Sequence, residues 1–464
     1  MPSPLALTEL PGRNSQGGVN MQRFLLLTAV TFGFFATPLT QAGATQSIKL
    51  QTQLGQTVMP EGKSGKVYLR VGLEGIVPEE EGERIPANVI LVIDQSGSMK
   101  GERIEQAKEA ALMAVERLGD EDVLGIVSYS SRAQVRAPAA YLRDTNDLRR
   151  AIRRLEAGGR TALYAGVSQG IRELREFVDP YKVNRVILLS DGLANVGPST
   201  PRELEALGRE AAREGISITT IGLGLGYNED LMTRLALASD GNHAFVEHPS
   251  DLVTIFNEEF GDVLAAVGGD VEIIIDCPDG FEPIRVLGRE AKIEKDRVRL
   301  KLNQVYGKQE KYIVVELEVS GKRAQGTARA AQVEVNYTDL ASKKRASVKG
   351  EAELRFSSSE DDVKSSVDKD VLAAVATQIA TERSEKAVEL RDSGKTEEAK
   401  RVLQENAAYL KEQAEQLPSA AAAPLQEMSK RNLQDAENLS SDVWDRTRKS
   451  MRANQYRNKT QQSY

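Results

Sequence analysis

The chain has 464 residues, with 61 Lys and Arg against 68 Asp and Glu for a net charge of −7 and 40% hydrophobic content. This mixed-sign, mildly acidic composition excludes a general nucleic-acid binder, which needs a cationic surface. One cysteine, Cys277, excludes any intrachain disulfide, and two histidines, His243 and His248, narrow the acid–base and metal chemistry open to the chain.

Residues 1–44 read as a leader and signal peptide. Residues 1–20 are polar, then Met21-Gln22-Arg23 opens an apolar run over 24–36 that ends in small residues. Cleavage is expected after Ala44, with Ala42 as the second choice. The run is shorter than the roughly twenty residues of a spanning helix, so an uncleaved anchor is the competing reading. Met21 is the more ordinary start for such a signal. The roughly 420 residues that follow have room for about three domains, and a disulfide-free exported protein fits the periplasm or cell envelope, or secretion.

Residues 45–80 alternate apolar and polar at period two around a Gly/Pro turn, which predicts two strands. Two strands alone are marginal, so they are expected to join the β-rich stretch after 269. Pro78-Glu79-Glu80-Glu81-Gly82-Glu83 reads as a solvated connection. Over 86–266 strands and helices alternate, the mark of a parallel α/β domain. Its runs Val89-Ile90-Leu91-Val92-Ile93 and Val186-Ile187-Leu188-Leu189 predict strands buried on both faces.

From 269 to 356 short alternating segments predict an antiparallel sandwich. Residues 360–417 predict a helical hairpin broken at Ser393-Gly394-Lys395, and 418–424 a hinge. Residues 425–464 predict one more helix and a disordered basic tail; peripheral contact with acidic lipid is a further reading of that tail. The fold class is therefore α/β, a doubly wound and mostly parallel sheet, inserted in or followed by an antiparallel β-sandwich, with a C-terminal helical hairpin.

Both aliphatic runs end in chemistry. The first leads into Asp94-Gln95-Ser96-Gly97-Ser98, where alternate residues offer oxygens to one point; the second leads into Ser190-Asp191-Gly192. Ligands of open α/β sheets bind beyond the carboxyl ends of the strands, and oxygen donors suit a hard cation. Between the two runs stands the glycine loop Gly158-Gly159-Arg160-Thr161. Other spellings lack context: Gly166-Val167-Ser168-Gln169-Gly170 falls within a predicted helix rather than after a strand, and Gly222-Leu223-Gly224 lacks a third glycine.

Asp-x-Ser-x-Ser, Gly-Gly-x-Thr and Ser-Asp-Gly in this order resemble the metal-ion-dependent adhesion site of the von Willebrand factor A family, in a branch similar to bacterial calcium-activated-chloride-channel homologues. The resemblance implies a Rossmann-like domain and a cation held by Ser96, Ser98 and Thr161 through hydroxyls and by Asp94 and Asp191 directly or through water. Gln95, Arg160 and Asn195 would form the rim. Mg²⁺ is the expected ion, with Mn²⁺ or Ca²⁺ as alternatives, because Ca²⁺ takes more carboxylates. The implied partner is a protein presenting an exposed Asp or Glu, and the implied role is non-enzymatic: adhesion or assembly of envelope complexes. The alternative is a scaffold, or an accessory subunit of a transporter or channel, acting through the β domain or the helical hairpin.

Overall fold

The computed structural model describes residues 46–77, 84–321, 326–440 and 442–462. The signal-like segment and the acidic connection over 78–83 lie outside the described residues. The chain enters through β1 (Ile48–Leu54), β2 (Val58–Pro60) and β3 (Gly65–Gly75), with β1 and β3 paired antiparallel. It then passes through β4 (Ala87–Asp94), α1 (Glu102–Arg117), β5 (Val123–Tyr129), β6 (Ala133–Tyr141), α2 (Asn146–Arg153), α3 (Leu163–Arg175) and β7 (Val183–Ser190). Next come α4 (Pro201–Arg213), β8 (Ser217–Leu223), α5 (Glu229–Ala238), β9 (His243–Val246) and α6 (Leu252–Leu264).

These strands form a six-stranded sheet in the order β6-β5-β4-β7-β8-β9, parallel except for β6. Every residue of β4 is buried because helices cover both faces. Val89, Leu91 and Ile93 pack with α1 and α6, while Ile90 and Val92 pack with α3, α4 and α5. Burying each such side chain contributes about 1.5–3 kcal/mol. From β4 the chain winds to one side through β5 and β6, then returns to the other side of β4 as β7. The carboxyl ends of β4 and β7 therefore flank the point where strand order reverses, the usual place for a ligand crevice.

The second architecture comprises β10 (Ala266–Asp276), β11 (Phe281–Leu287), β12 (Lys292–Glu294), β13 (Arg297–Tyr306), β14 (Glu310–Val319), β15 (Thr327–Asp339) and β16 (Lys344–Ser357). One sheet runs β1-β3-β14-β11 and the other β12-β13-β10-β15-β16-β2. The strands before the α/β domain thus share sheets with those after it. Cys277 is buried in this sandwich core, and burial pushes its thiol up to about 12. A buried polar network joins the two architectures: Arg185 of β7 donates to Glu259 at 3.1 Å, to Thr219 Oγ1 at 2.8 Å and to Gln304 Oε1 of β13 at 2.7 Å.

The C-terminal part is α7 (Glu360–Ser365), α8 (Lys369–Asp392), α9 (Thr396–Glu415), α10 (Ser419–Glu437) and α11 (Trp444–Thr460). Here two expectations are corrected. The segment read as a hinge at 418–424 opens α10, since Pro418 precedes the helix and its alanines favour helix. The basic tail is ordered as α11, because its cations meet carboxylates of the same chain: Arg446 pairs with Glu247, Arg448 with Glu229, Asp230 and Asp392, Lys449 with Glu229, and Lys459 with Glu385. Among the described residues no helix is long and apolar enough to cross a membrane.

Candidate functional site

Asp94 ends β4 with its side chain fully buried. Its Oδ1 accepts the Ser96 backbone N–H at 2.8 Å, closing the turn that brings Ser96 and Ser98 back over the strand end, and its Oδ2 accepts the Ser190 hydroxyl at 2.9 Å. The Ser96 and Ser98 hydroxyls lie 3.0 Å apart, and Ser98 donates to Asp191 Oδ1 at 2.7 Å.

Thr161 is held by its own loop. Gly158 N donates to Gln95 O at 2.7 Å and Gly97 N to Gly159 O at 3.1 Å, with Gly159 in the left-handed region at φ 90°. Asn195 fastens the other side, its Oδ1 accepting Thr161 N at 2.9 Å while its own N–H donates to Thr161 O at 3.0 Å. The five residues Asp94, Ser96, Ser98, Thr161 and Asp191 are thus brought together from three loops.

The hydroxyls face one point. A Cβ placed on Gly192 would stand 3.2 Å from Ser98 Oγ, 3.5 Å from Thr161 Oγ1 and 4.0 Å from Ser96 Oγ. Glycine leaves this cradle open. Two carboxylates and three hydroxyls, all hard oxygen donors, fit a small divalent cation that keeps part of its water. Among the described residues no group of three or more His, Cys, Asp or Glu side chains is placed to hold a metal. Any cation here would therefore rest on the mixed hydroxyl–carboxylate set.

Burial raises the Asp94 carboxyl to about 6, and the neighbouring Asp191 adds to the rise; the bonds from Ser96 and Ser190 oppose it. A buried carboxylate in this state gains from a cation more than an exposed one does, since the cation relieves a desolvation cost already incurred. His243 is engaged elsewhere. It is buried with Nδ1 2.8 Å from Thr220 Oγ1, and burial pushes it down to about 3.

The rim departs from expectation at one residue. Gln95 is buried and turned sideways, its Oε1 accepting from Arg136 at 3.0 Å. Arg160 and Asn195 are exposed. One residue that sequence reasoning passed over is Arg103, which donates from Nη1 to Asp191 Oδ2 at 2.7 Å and to Ser98 O at 3.2 Å. A signal was available: Arg103 lies in the first turn of α1, where the helix dipole disfavours a cation.

Residues 88–258 match the family model of the von Willebrand factor type A domain. The chain is 32% identical over 182 residues to the uncharacterized protein sll0103 of Synechocystis sp., covering 39% of this chain and 43% of that protein. It is 28% identical over 229 residues to the uncharacterized protein YfbK of Escherichia coli, covering 48% and 39%, and 30% identical over 175 residues to human inter-alpha-trypsin inhibitor heavy chain H3, covering 36% and 20%. The chain thus spans less than half the length of these relatives. Among solved structures, von Willebrand factor type A from Catenulispora acidiphila superposes with a TM-score of 0.69 at 16% identity, covering 86% of this chain and 91% of that one. The ArnB paralog VWA2 from Sulfolobus acidocaldarius does so with 0.59 at 18%, covering 90% and 99%. These two likenesses reach beyond the α/β domain and concern the fold.

Proposed function

We infer that the von Willebrand factor type A domain at the centre of this chain holds a divalent cation through Asp94, Ser96, Ser98, Thr161 and Asp191, and that an Asp or Glu of a partner protein completes the coordination. The observation that carries this reading is the convergence of three hydroxyls on the open cradle at Gly192, with Ser98 also bonded to the Asp191 carboxylate. The bound cation would supply an electrophilic centre for an incoming carboxylate.

Charge supports binding over water activation. Two carboxylates and the Arg103 guanidinium leave the site one negative charge, which a divalent ion turns into one positive charge. A carboxylate is then attracted, while the site's own two carboxylates are engaged, Asp94 by Ser96 and Ser190 and Asp191 by Ser98 and Arg103. Mg²⁺ is the ion we assign, for its tolerance of few carboxylates and retained water. The apolar segment over 24–36 supports export to the periplasm or cell envelope, where adhesion or complex assembly is the role we assign.

The test is a pull-down from cell-envelope extract with Mg²⁺, with chelator, and with Asp94→Ala, each bait checked by circular dichroism. A partner captured only by intact protein with Mg²⁺ supports the reading. A partner that survives both chelator and substitution moves function to the sandwich or the C-terminal helices, and a chain that takes up no divalent cation in direct titration overturns it.

A further inference from the structure

The cradle does not stand alone on its face. Leu193, two residues past Asp191, is 59% exposed, the most exposed large apolar side chain among the described residues, and Leu225 is 41% exposed. The two sit on adjoining loops. A Cβ on Gly226 would meet the Asp191 carbonyl oxygen at 2.7 Å, so the loop carrying Leu225 lies directly against the segment that leads to Leu193. Arg103 completes the group, since a Cβ on Gly224 would lie 3.0 Å from its Nη2.

Arg103 is anchored yet open. Both of its hydrogen bonds leave from Nη1, and its side chain is 35% exposed. A guanidinium offers five donors in a planar fork suited to carboxylate. Nη2 and Nε, on the edge beside Gly224, therefore keep donors for an anion that arrives on this face, while Nη1 stays on Asp191. The leucines present apolar surface with no internal use.

We propose that this face selects a particular kind of protein segment: an Asp or Glu next to a large aliphatic residue, with the carboxylate shared between the bound cation and Arg103 and the aliphatic side chain covering Leu193 and Leu225. The proposal rests on the cation-site reading above. Charge complementarity commits it to an acidic segment, and the exposed leucines to an apolar neighbour. Covering even half of two leucines is worth roughly tenfold in affinity.

The full chain, saturated with Mg²⁺, is titrated with labelled peptides displayed on beads: Ser-Leu-Glu-Leu-Ser, Ser-Ser-Glu-Ser-Ser and Ser-Leu-Gln-Leu-Ser. The first should bind about tenfold tighter than the second, and the third should bind least. Replacing both leucines, Leu193→Ser with Leu225→Ser, should erase the preference for flanking Leu. Arg103→Gln should weaken both Glu peptides while tightening Mg²⁺ itself, because a positive charge beside Asp191 is gone. These opposite directions separate partner recognition from a structural role. Mg²⁺-dependent binding of the Glu peptides that ignores Arg103→Gln and the leucine pair overturns this inference and leaves the cation site standing. Failure of the wild-type chain to take up Mg²⁺ overturns both.

Discussion

Lys449, in the last helix, donates to Glu229 at 2.7 Å with both side chains 6% exposed. Glu229 opens α5, directly after the loop whose Gly226 backs onto Asp191, so the end of the chain braces the segment beside the cradle. Arg448 reaches the same carboxylate, and the Lys449 ammonium stands 4.9 Å from the centre of the Tyr227 ring.

Breaking this pair from one side should be costly. Lys449→Ala leaves Glu229 buried with Arg448 alone and should destabilise by about 3 kcal/mol. Hydrogen exchange should show α11 and the start of α5 losing protection together. Paired replacement, Glu229→Gln with Lys449→Met, should recover part of the loss, since no uncompensated buried charge remains.

Close approach at Gly226 offers a second check. Gly226→Ala should cost about 1–3 kcal/mol, because the added methyl meets a backbone oxygen that cannot yield. Divalent-cation affinity should fall with it as Asp191 is displaced. Gly261→Ala is the control: nothing stands within 4 Å of its Cβ and it lies in α6, so unfolding should show a gain of up to about 1 kcal/mol from helix propensity.

Cation binding at Asp94 should depend on pH. Its carboxyl is held at about 6, mainly by burial, so below that value a proton competes with the ion. Affinity measured by calorimetry should weaken about tenfold per pH unit below about pH 6 and level off above it. The folded value lies above the ordinary one, so the contribution of Asp94 itself to cation-free stability is complete at low pH and is lost as pH rises through about 6. Asp94→Asn should therefore raise the cation-free melting temperature at about pH 8 and abolish the increase that Mg²⁺ gives the wild type.

Asp435 in α10 tests the same sign away from the cradle. Burial pushes it up to about 7, against the pull of Arg431. The folded chain keeps a proton that the unfolded chain releases, so this contribution to stability is complete at low pH and lost as pH rises through about 7. Asp435→Asn should stabilise by about 1–3 kcal/mol at alkaline pH and change little in acid, as read from urea midpoints.

Much of this molecule was legible from local pattern. Unbroken aliphatic runs announced β4 and β7 because strands covered on both faces leave no place for polar alternation. The start of α4 is set as locally, by the reciprocal capping box of Thr200 and Glu203 with Pro201 at the first helical position. The same runs placed Asp94 and Asp191 at strand ends, and a glycine loop placed Thr161 between them. The basic stretch that forms α11 was misread because its charge pattern resembles a solvated tail, and the acids that pair with it lie far away in sequence.

By itself the sequence determined the α/β class, the extra β domain, and which oxygens end the two central strands, for periodicity and turn chemistry act over a few residues. Only the tertiary structure decided that Arg103 turns to Asp191 while Gln95 turns away to Arg136, that Arg185, Glu259 and Gln304 form one buried network, and that α11 docks on α5. Those choices join residues tens to hundreds of positions apart. A buried charge takes whichever partner the packing brings within reach, and no local pattern names that partner.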